Sequence, residues 1–189
     1  MASVFHALGS TVVAYTASPR PTPSSRRDTG YIVPGTGDAD GSIPAEWYWG
    51  TDTSDLHHFL SRSLDAVVVT LPLTGATRGL FGAEEFEVLS RSGRTFFANI
   101  SRGAIVQQAA LVRALNEGQI VGAALDVTDP EPLPEDDPLW DARNVIITPH
   151  VSGLGREYVG RVFDVVKLNL SRREKGEKMV NVVDRKKGY

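Results

Sequence analysis

In the second half of the chain, three apolar runs each lead into a chemically useful side chain. Arg94-Thr95-Phe96-Phe97-Ala98-Asn99-Ile100 runs into Ser101-Arg102-Gly103. Val121-Gly122-Ala123-Ala124-Leu125 leads to Asp126 and, through Pro130, to Glu131, and Asn144-Val145-Ile146-Ile147 leads through Thr148-Pro149 to His150. A guanidinium, a carboxylate and an imidazole are the groups with which a site holds an oxyanion and exchanges a proton. If the three runs are parallel neighbours in an open α/β sheet, their ends face one crevice, the place where such sheets bind ligands.

The elements that must position these residues follow a regular rhythm. Ala2 to Leu8 reads as a short helix stopped at Gly9, and Thr11 to Tyr15 as a buried strand. Residues 18–53, with Pro19, Pro21, Pro23, Gly35, Gly37 and Gly41, read as a long irregular loop, with Trp47, Tyr48 and Trp49 pinning it to the body. From Ser54 and Asp55, which can cap a helix to Ser61, strands at 65–70, 94–100, 120–125 and 144–147 are interleaved with helices at 83–91 and 105–117. That alternation predicts a parallel sheet with right-handed crossovers. Gly155 to Lys175 is a long helical pattern with Val159, Val162, Phe163, Val166 and Leu170 on one stripe and a basic end.

The 189 residues suit one core of ordinary size, and 41% apolar with 23% charged residues is the balance of a soluble globular chain. A net charge of −3 gives no reason to expect nucleic acid or an anionic membrane as partner. The chain has no cysteine, which excludes disulfides and thiolate metal sites and fits a cytoplasmic setting. Residues 1–17 lack a basic start and are interrupted by His6, Gly9, Ser10 and Thr11, unlike a signal peptide, and no apolar run is long enough to span a bilayer. No metal site is expected.

Taken with these residues, the chain resembles the D-isomer-specific 2-hydroxyacid dehydrogenases, in the latter part of their nucleotide-binding domain. The resemblance is carried by Ala98 to Val106, by Gly122 to Val127 with Pro130-Glu131-Pro132, by Thr148-Pro149-His150, and by Leu71-Pro72-Leu73-Thr74 ahead of Thr77-Arg78-Gly79-Leu80. It implies a Rossmann-like, doubly wound parallel sheet. It also implies that Arg102 holds the carboxylate and keto oxygen of a 2-oxo acid, that His150 is the general acid, and that Glu131 pairs with His150 and fixes its tautomer. Leu71, Pro72, Ile100, Asp126, Ser152 and Gly153 would line the cofactor, with Asp126 on the nicotinamide side. The implied activity is reduction of glyoxylate- or hydroxypyruvate-like 2-oxo acids with NADP or NAD.

The chain also departs from the family pattern. Asp129 stands where a glutamate is usual, and no Gly-x-Gly-x-x-Gly precedes a helix. The expectation is therefore a sheet lacking its first strand and glycine-rich loop. Residues 1–153 would be a partial dinucleotide-binding domain, and 154–189 a helix and tail that would pack on an absent substrate domain. Turnover by this chain alone would be low, since the loop supplies backbone donors to the pyrophosphate. After the first strand no acid is placed to hold an NAD ribose, whereas Ser18 and Arg20 could accommodate a 2′-phosphate, which leans the cofactor toward NADP. The alternatives to an enzyme are a non-catalytic remnant and a nucleotide-sensing interaction module. A homodimer is the one macromolecular partner expected.

Overall fold

Short β-rich runs separated by amphipathic segments produce a succession of strands and helices in the computed structural model, which describes residues 1–33 and 35–185. In chain order the elements are α1 (Ala2–Ala7), β1 (Val13–Thr16), α2 (Pro23–Arg26), β2 (Glu46–Trp49), α3 (Thr53–Leu60), β3 (Ala66–Val69), α4 (Ala83–Ser90), β4 (Phe96–Asn99), α5 (Gln108–Asn116), β5 (Gly122–Leu125), β6 (Val145–Ile147) and α6 (Tyr158–Glu174). Two 3-10 turns, Gly103–Ile105 and Pro138–Asp141, complete them. The described residues form two units, Met1–Asp55 together with 155–185, and Leu56–Leu154.

The second unit holds a four-stranded sheet, ordered β3-β4-β5-β6 and parallel throughout. Val67 and Val69 alternate into its core, the period-2 signature of a half-covered strand. Phe97 on β4 is fully buried and meets Phe81 and Phe86 edge-on, with ring centroids 5.1 and 5.4 Å away. Leu111, Ala114 and Leu115 give α5 its buried face. Gly118, at φ 72°, then lets the chain turn, so that Gln119 N–H reaches the Ala114 carbonyl at 2.8 Å and closes the helix end.

The first unit holds a two-stranded parallel sheet of β1 and β2, in the register Val13↔Glu46 to Thr16↔Trp49. The stretch 18–53 is therefore not irregular throughout. Thr22 caps the single turn of α2, and Trp47, Tyr48 and Trp49 are strand residues rather than loop anchors. Aromatic side chains favour a pleated surface, and here that preference prevails over the flanking glycines and prolines.

Two helix starts differ from the sequence reading. Instead of beginning at 105, α5 begins at Gln108, because Gly79 and Phe81 form a backbone ladder with Ala104, Ile105 and Gln107. Phe81 N–H donates to the Ile105 carbonyl at 3.1 Å and Gln107 N–H to the Phe81 carbonyl at 2.9 Å. Thr53 opens α3, so Ser54 and Asp55 sit in its first turn instead of capping it. On α6, Val159, Val162, Phe163, Val166 and Leu170 are exposed, as are Val182 and Val183 in the tail. Val180 is half-buried and held by Asn169, which exchanges two hydrogen bonds with its backbone.

Truncating the ring at the centre of the second unit tests this core. Phe97→Ala is expected to cost about 3–5 kcal/mol, because a cavity replaces both edge-on ring contacts. Urea denaturation should show the midpoint falling, whereas truncation of exposed Val182 should leave it unchanged within about 0.5 kcal/mol.

Candidate active site

Four parallel strands deliver their carboxyl ends to one edge of the second unit: β3 leads to Leu71, β4 to Arg102, β5 to Asp126 and β6 to His150. The loop after β4 is fastened from inside. Asn99, only 1% exposed, accepts the Ser101 N–H at 3.1 Å through Oδ1 and donates through Nδ2 to the Arg102 carbonyl at 2.9 Å. One carboxamide thus clips the backbone of Ser101 and Arg102 and presents the Arg102 side chain, which is exposed. Ser101 Oγ donates to the Leu71 carbonyl, tying this loop to the one after β3. Arg102 Nη1 donates to the Ser101 carbonyl at 2.7 Å and leaves the rest of the fork for an anion.

Gly103 brings the loops after β4 and β5 into contact. A Cβ there would lie 2.0 Å from the Thr128 carbonyl oxygen and 2.7 Å from the Asp129 nitrogen, so only glycine permits the approach. The two loops that carry Arg102 and Glu131 are thereby held backbone to backbone.

Asp126 is 4% exposed, and its carboxylate is the node of the loop after β6. Oδ1 accepts from Thr148 Oγ1 at 2.6 Å and from the Val151 N–H at 2.8 Å, while Oδ2 accepts from the Ser152 N–H at 2.8 Å. Burial alone would raise the pKa of this carboxyl. The hydrogen bonds from Ser152, Thr148 and Val151 outweigh burial and hold it well below the usual carboxylate range. The Asp126 backbone joins in, its carbonyl accepting the His150 N–H at 2.9 Å. His150 itself sits at φ 55°, a left-handed conformation that a non-glycine residue adopts only when its surroundings enforce it.

The imidazole that this loop presents is paired. His150 Nδ1–H donates to Glu131 Oε1 at 2.6 Å, with both side chains partly open to solvent. That bond commits Nδ1 and directs Nε2 toward a ligand. Glu131 and His150 lie 19 positions apart in the chain, and only the adjacency of β5 and β6 brings them together. Asp129 is turned elsewhere, with Oδ2 3.9 Å from Arg78 Nη1.

The remaining expected residues lie as follows. Leu71, Pro72 and Ile100 belong to the loops after β3 and β4, where Ile100 N–H donates to the Val69 carbonyl at 3.4 Å and the Pro72 carbonyl accepts from Thr77 Oγ1 at 2.7 Å. Ser152 is held by Asp126, and at Gly153 next to it a Cβ would stand in open space. Ser18 and Arg20 belong to the first unit, beyond β1. Ser18 is exposed, and its carbonyl accepts from Thr16 Oγ1 at 2.8 Å. Arg20 Nη1 donates to the Ser25 carbonyl, while its buried Nε has no protein partner. Sequence reading did not assign roles to Asn99, Gly103 or Thr148. The available signals were a polar residue ending an apolar strand, and a glycine directly after the arginine.

The chain matches the D-isomer specific 2-hydroxyacid dehydrogenase NAD binding domain over residues 44–152. It is 36% identical over 135 residues to a glyoxylate/hydroxypyruvate reductase A of Salmonella paratyphi B, covering 71% of this chain and 42% of that protein. Among solved structures it is similar to an NADPH-dependent glyoxylate/hydroxypyruvate reductase from Sinorhizobium meliloti in complex with NADP and sulfate. There the TM-score is 0.76 at 34% identity, covering 100% of this chain and 52% of that one. A probable 2-hydroxyacid dehydrogenase from Rhizobium etli, in complex with NADP, HEPES and L(+)-tartaric acid, gives 0.73 at 32% identity, covering 99% and 52%. The chain thus spans about half the length of the proteins it matches.

The depressed Asp126 carboxyl has a consequence for stability. A group whose folded value lies below its unfolded one stabilises the fold above the unfolded value, and loses that contribution as pH falls through it toward the folded value. At pH 7, Asp126→Asn is expected to cost about 2–4 kcal/mol, since buried donors lose their charged acceptor. Urea midpoints of the two proteins should differ most near neutrality and draw together as pH falls below about 4. A constant gap down to pH 2 would deny the carboxylate this role.

Proposed function

Since this chain belongs to the D-isomer-specific 2-hydroxyacid dehydrogenase family, matching its NAD binding domain over residues 44–152, we propose that it serves an oxidoreductase. The reaction is reduction of small 2-oxo acids of the glyoxylate or hydroxypyruvate type to 2-hydroxy acids, with NADP preferred to NAD. The observation that carries this reading is the 2.6 Å His150–Glu131 pair on the strand edge that also bears Arg102.

Each group has a task in that chemistry. Arg102 holds the substrate carboxylate through its free guanidinium donors and polarises the neighbouring keto oxygen. His150 Nε2 holds the proton that passes to that oxygen as it becomes a hydroxyl. Glu131 keeps the Nδ1 proton in place, orients the ring, and balances the positive charge that the imidazolium carries before transfer. Asp126 acts through the backbone, fixing the 148–152 segment from which His150 projects. When bound, the reduced nicotinamide supplies the hydride.

The donor set suits that cofactor. The buried Arg20 Nε without a partner, two residues beyond Ser18, offers an unmet donor to a ribose 2′-phosphate, and this supports NADP. Leu71, Pro72 and Ile100 would flank the nicotinamide end, together with Asp126, Ser152 and Gly153. The same proposal assigns residues 1–153 to a partial dinucleotide-binding domain, and residues 154–189 to a helix and tail that would pack on a substrate domain. It extends to a cytoplasmic homodimer; no helix among the described residues is long and apolar enough to cross a membrane.

The test follows NADPH oxidation with a panel of 2-oxo acids. It compares the 189-residue chain with a form extended at its N-terminus by a relative's glycine-rich loop and substrate domain. The extended form should turn over. In it His150→Ala should lower kcat by about 10²–10⁴, and Arg102→Ala should raise KM as well as lower kcat. Wild-type kcat in His150→Ala would sink the assignment. Tight NADPH binding without turnover would favour the nucleotide-sensing role instead.

A further inference from the structure

A second cluster of chemically active side chains lies in the Leu56–Leu154 unit and has no part in the reaction just described. His57 on α3 places Nε2 2.8 Å from Glu85 Oε1, on the first turn of α4. The other oxygen of Glu85 accepts the Gly82 N–H at 2.8 Å, so this carboxylate is fixed at both ends. Its side chain is 10% exposed. Glu84 stands beside it, exposed, and one ligand atom from each of His57, Glu84 and Glu85 lies within 4.8 Å of the others.

We propose that His57 Nε2, Glu85 Oε1 and a Glu84 carboxylate oxygen bind one divalent ion of the zinc class, pinning α3 to the start of α4. An imidazole with two carboxylates is a borderline donor set. It suits zinc and its first-row neighbours, whereas calcium and magnesium prefer oxygen ligands alone. Three protein ligands with one side open to solvent leave a fourth position for water. The ion takes the place of the proton now shared between His57 and Glu85. Bonds of about 2.0–2.2 Å set tetrahedral ligand atoms roughly 3.4 Å apart, so the fixed pair opens by roughly half an ångström and Glu84 swings inward. Glu84 is free to do so because it is exposed, and Glu85 is already oriented by the Gly82 N–H. An ion also relieves the repulsion between adjacent carboxylates, one of them largely withdrawn from water.

The competing account makes Glu85 a capping residue, His57 its hydrogen-bond partner, and Glu84 an acid favoured by the helix start. It predicts no specific metal affinity, and equilibrium dialysis of the 189-residue chain against zinc chloride separates the two. Elemental analysis should find one equivalent of zinc, and the melting temperature should rise with zinc concentration. Cobalt(II) in place of zinc should give the visible absorption of a low-coordinate nitrogen–oxygen site. Glu84→Gln and His57→Ala should each weaken binding by roughly tenfold or more, while His58→Ala should retain it. Glu84 is exposed, so its variant remains decisive if His57→Ala fails to fold. The proposal is overturned by absence of saturable zinc binding, by zinc binding indifferent to Glu84→Gln, or by equal affinity for magnesium. None of these readouts requires turnover, so failure here leaves the dehydrogenase reading intact, and the reverse holds.

Discussion

A buried carboxylate organises the strand edge that carries the candidate site. Asp126 closes β5 in a place largely withdrawn from water, and an ionised group there is tolerable only if well engaged. Its partners are Thr148 and the N–H groups of Val151 and Ser152, all on the segment that follows β6. Satisfying the charge therefore folds that segment back over the end of β5. His150, in the middle of the segment, is held in a left-handed conformation and presented toward Glu131. The electrostatic requirement of one strand end thus sets the direction of a histidine that lies 24 positions later in the chain.

The loop after β4 solves the same problem with neutral groups. Asn99 is almost wholly buried, and its carboxamide has one acceptor and one donor face to satisfy. It satisfies them on Ser101 and Arg102, which leaves the guanidinium projecting from a rigid base. Gly103 then lets the Thr128–Asp129 backbone approach so closely that the loops of Arg102 and Glu131 share one support. Both arrangements place the interactions that demand burial beneath Arg102 and His150 and leave those two side chains open to solvent, so the geometry is held tightly from below.

The first unit shows a different balance. Its sheet has two strands, and α6 leaves Val159, Val162, Phe163, Val166 and Leu170 exposed. Such a stripe is an apolar helix face left open to solvent. The contrast with the second unit, where α4 and α5 both bury their apolar faces, follows from what each helix has to pack against.

By itself the sequence determined the alternation of strands and helices in the second unit, because apolar period and turn residues are local properties. It also determined which side chains end β4, β5 and β6, and motif order made Arg102, Glu131 and His150 legible together. What it left undecided were features that depend on distant partners. The 46–49 segment became a strand only by finding β1, and α5 was shortened because residues 79–81 compete for the backbone of 104–107. The supporting parts of the site were hidden for the same reason: Asn99, Gly103 and Thr148 matter through what they touch, and spacing records nothing of that. His57 and Glu85 are 28 positions apart, and no local pattern joins them. Only the tertiary structure brings that imidazole to that carboxylate, because hydrogen bonding and ion binding act over a few ångströms of space and are blind to separation along the chain.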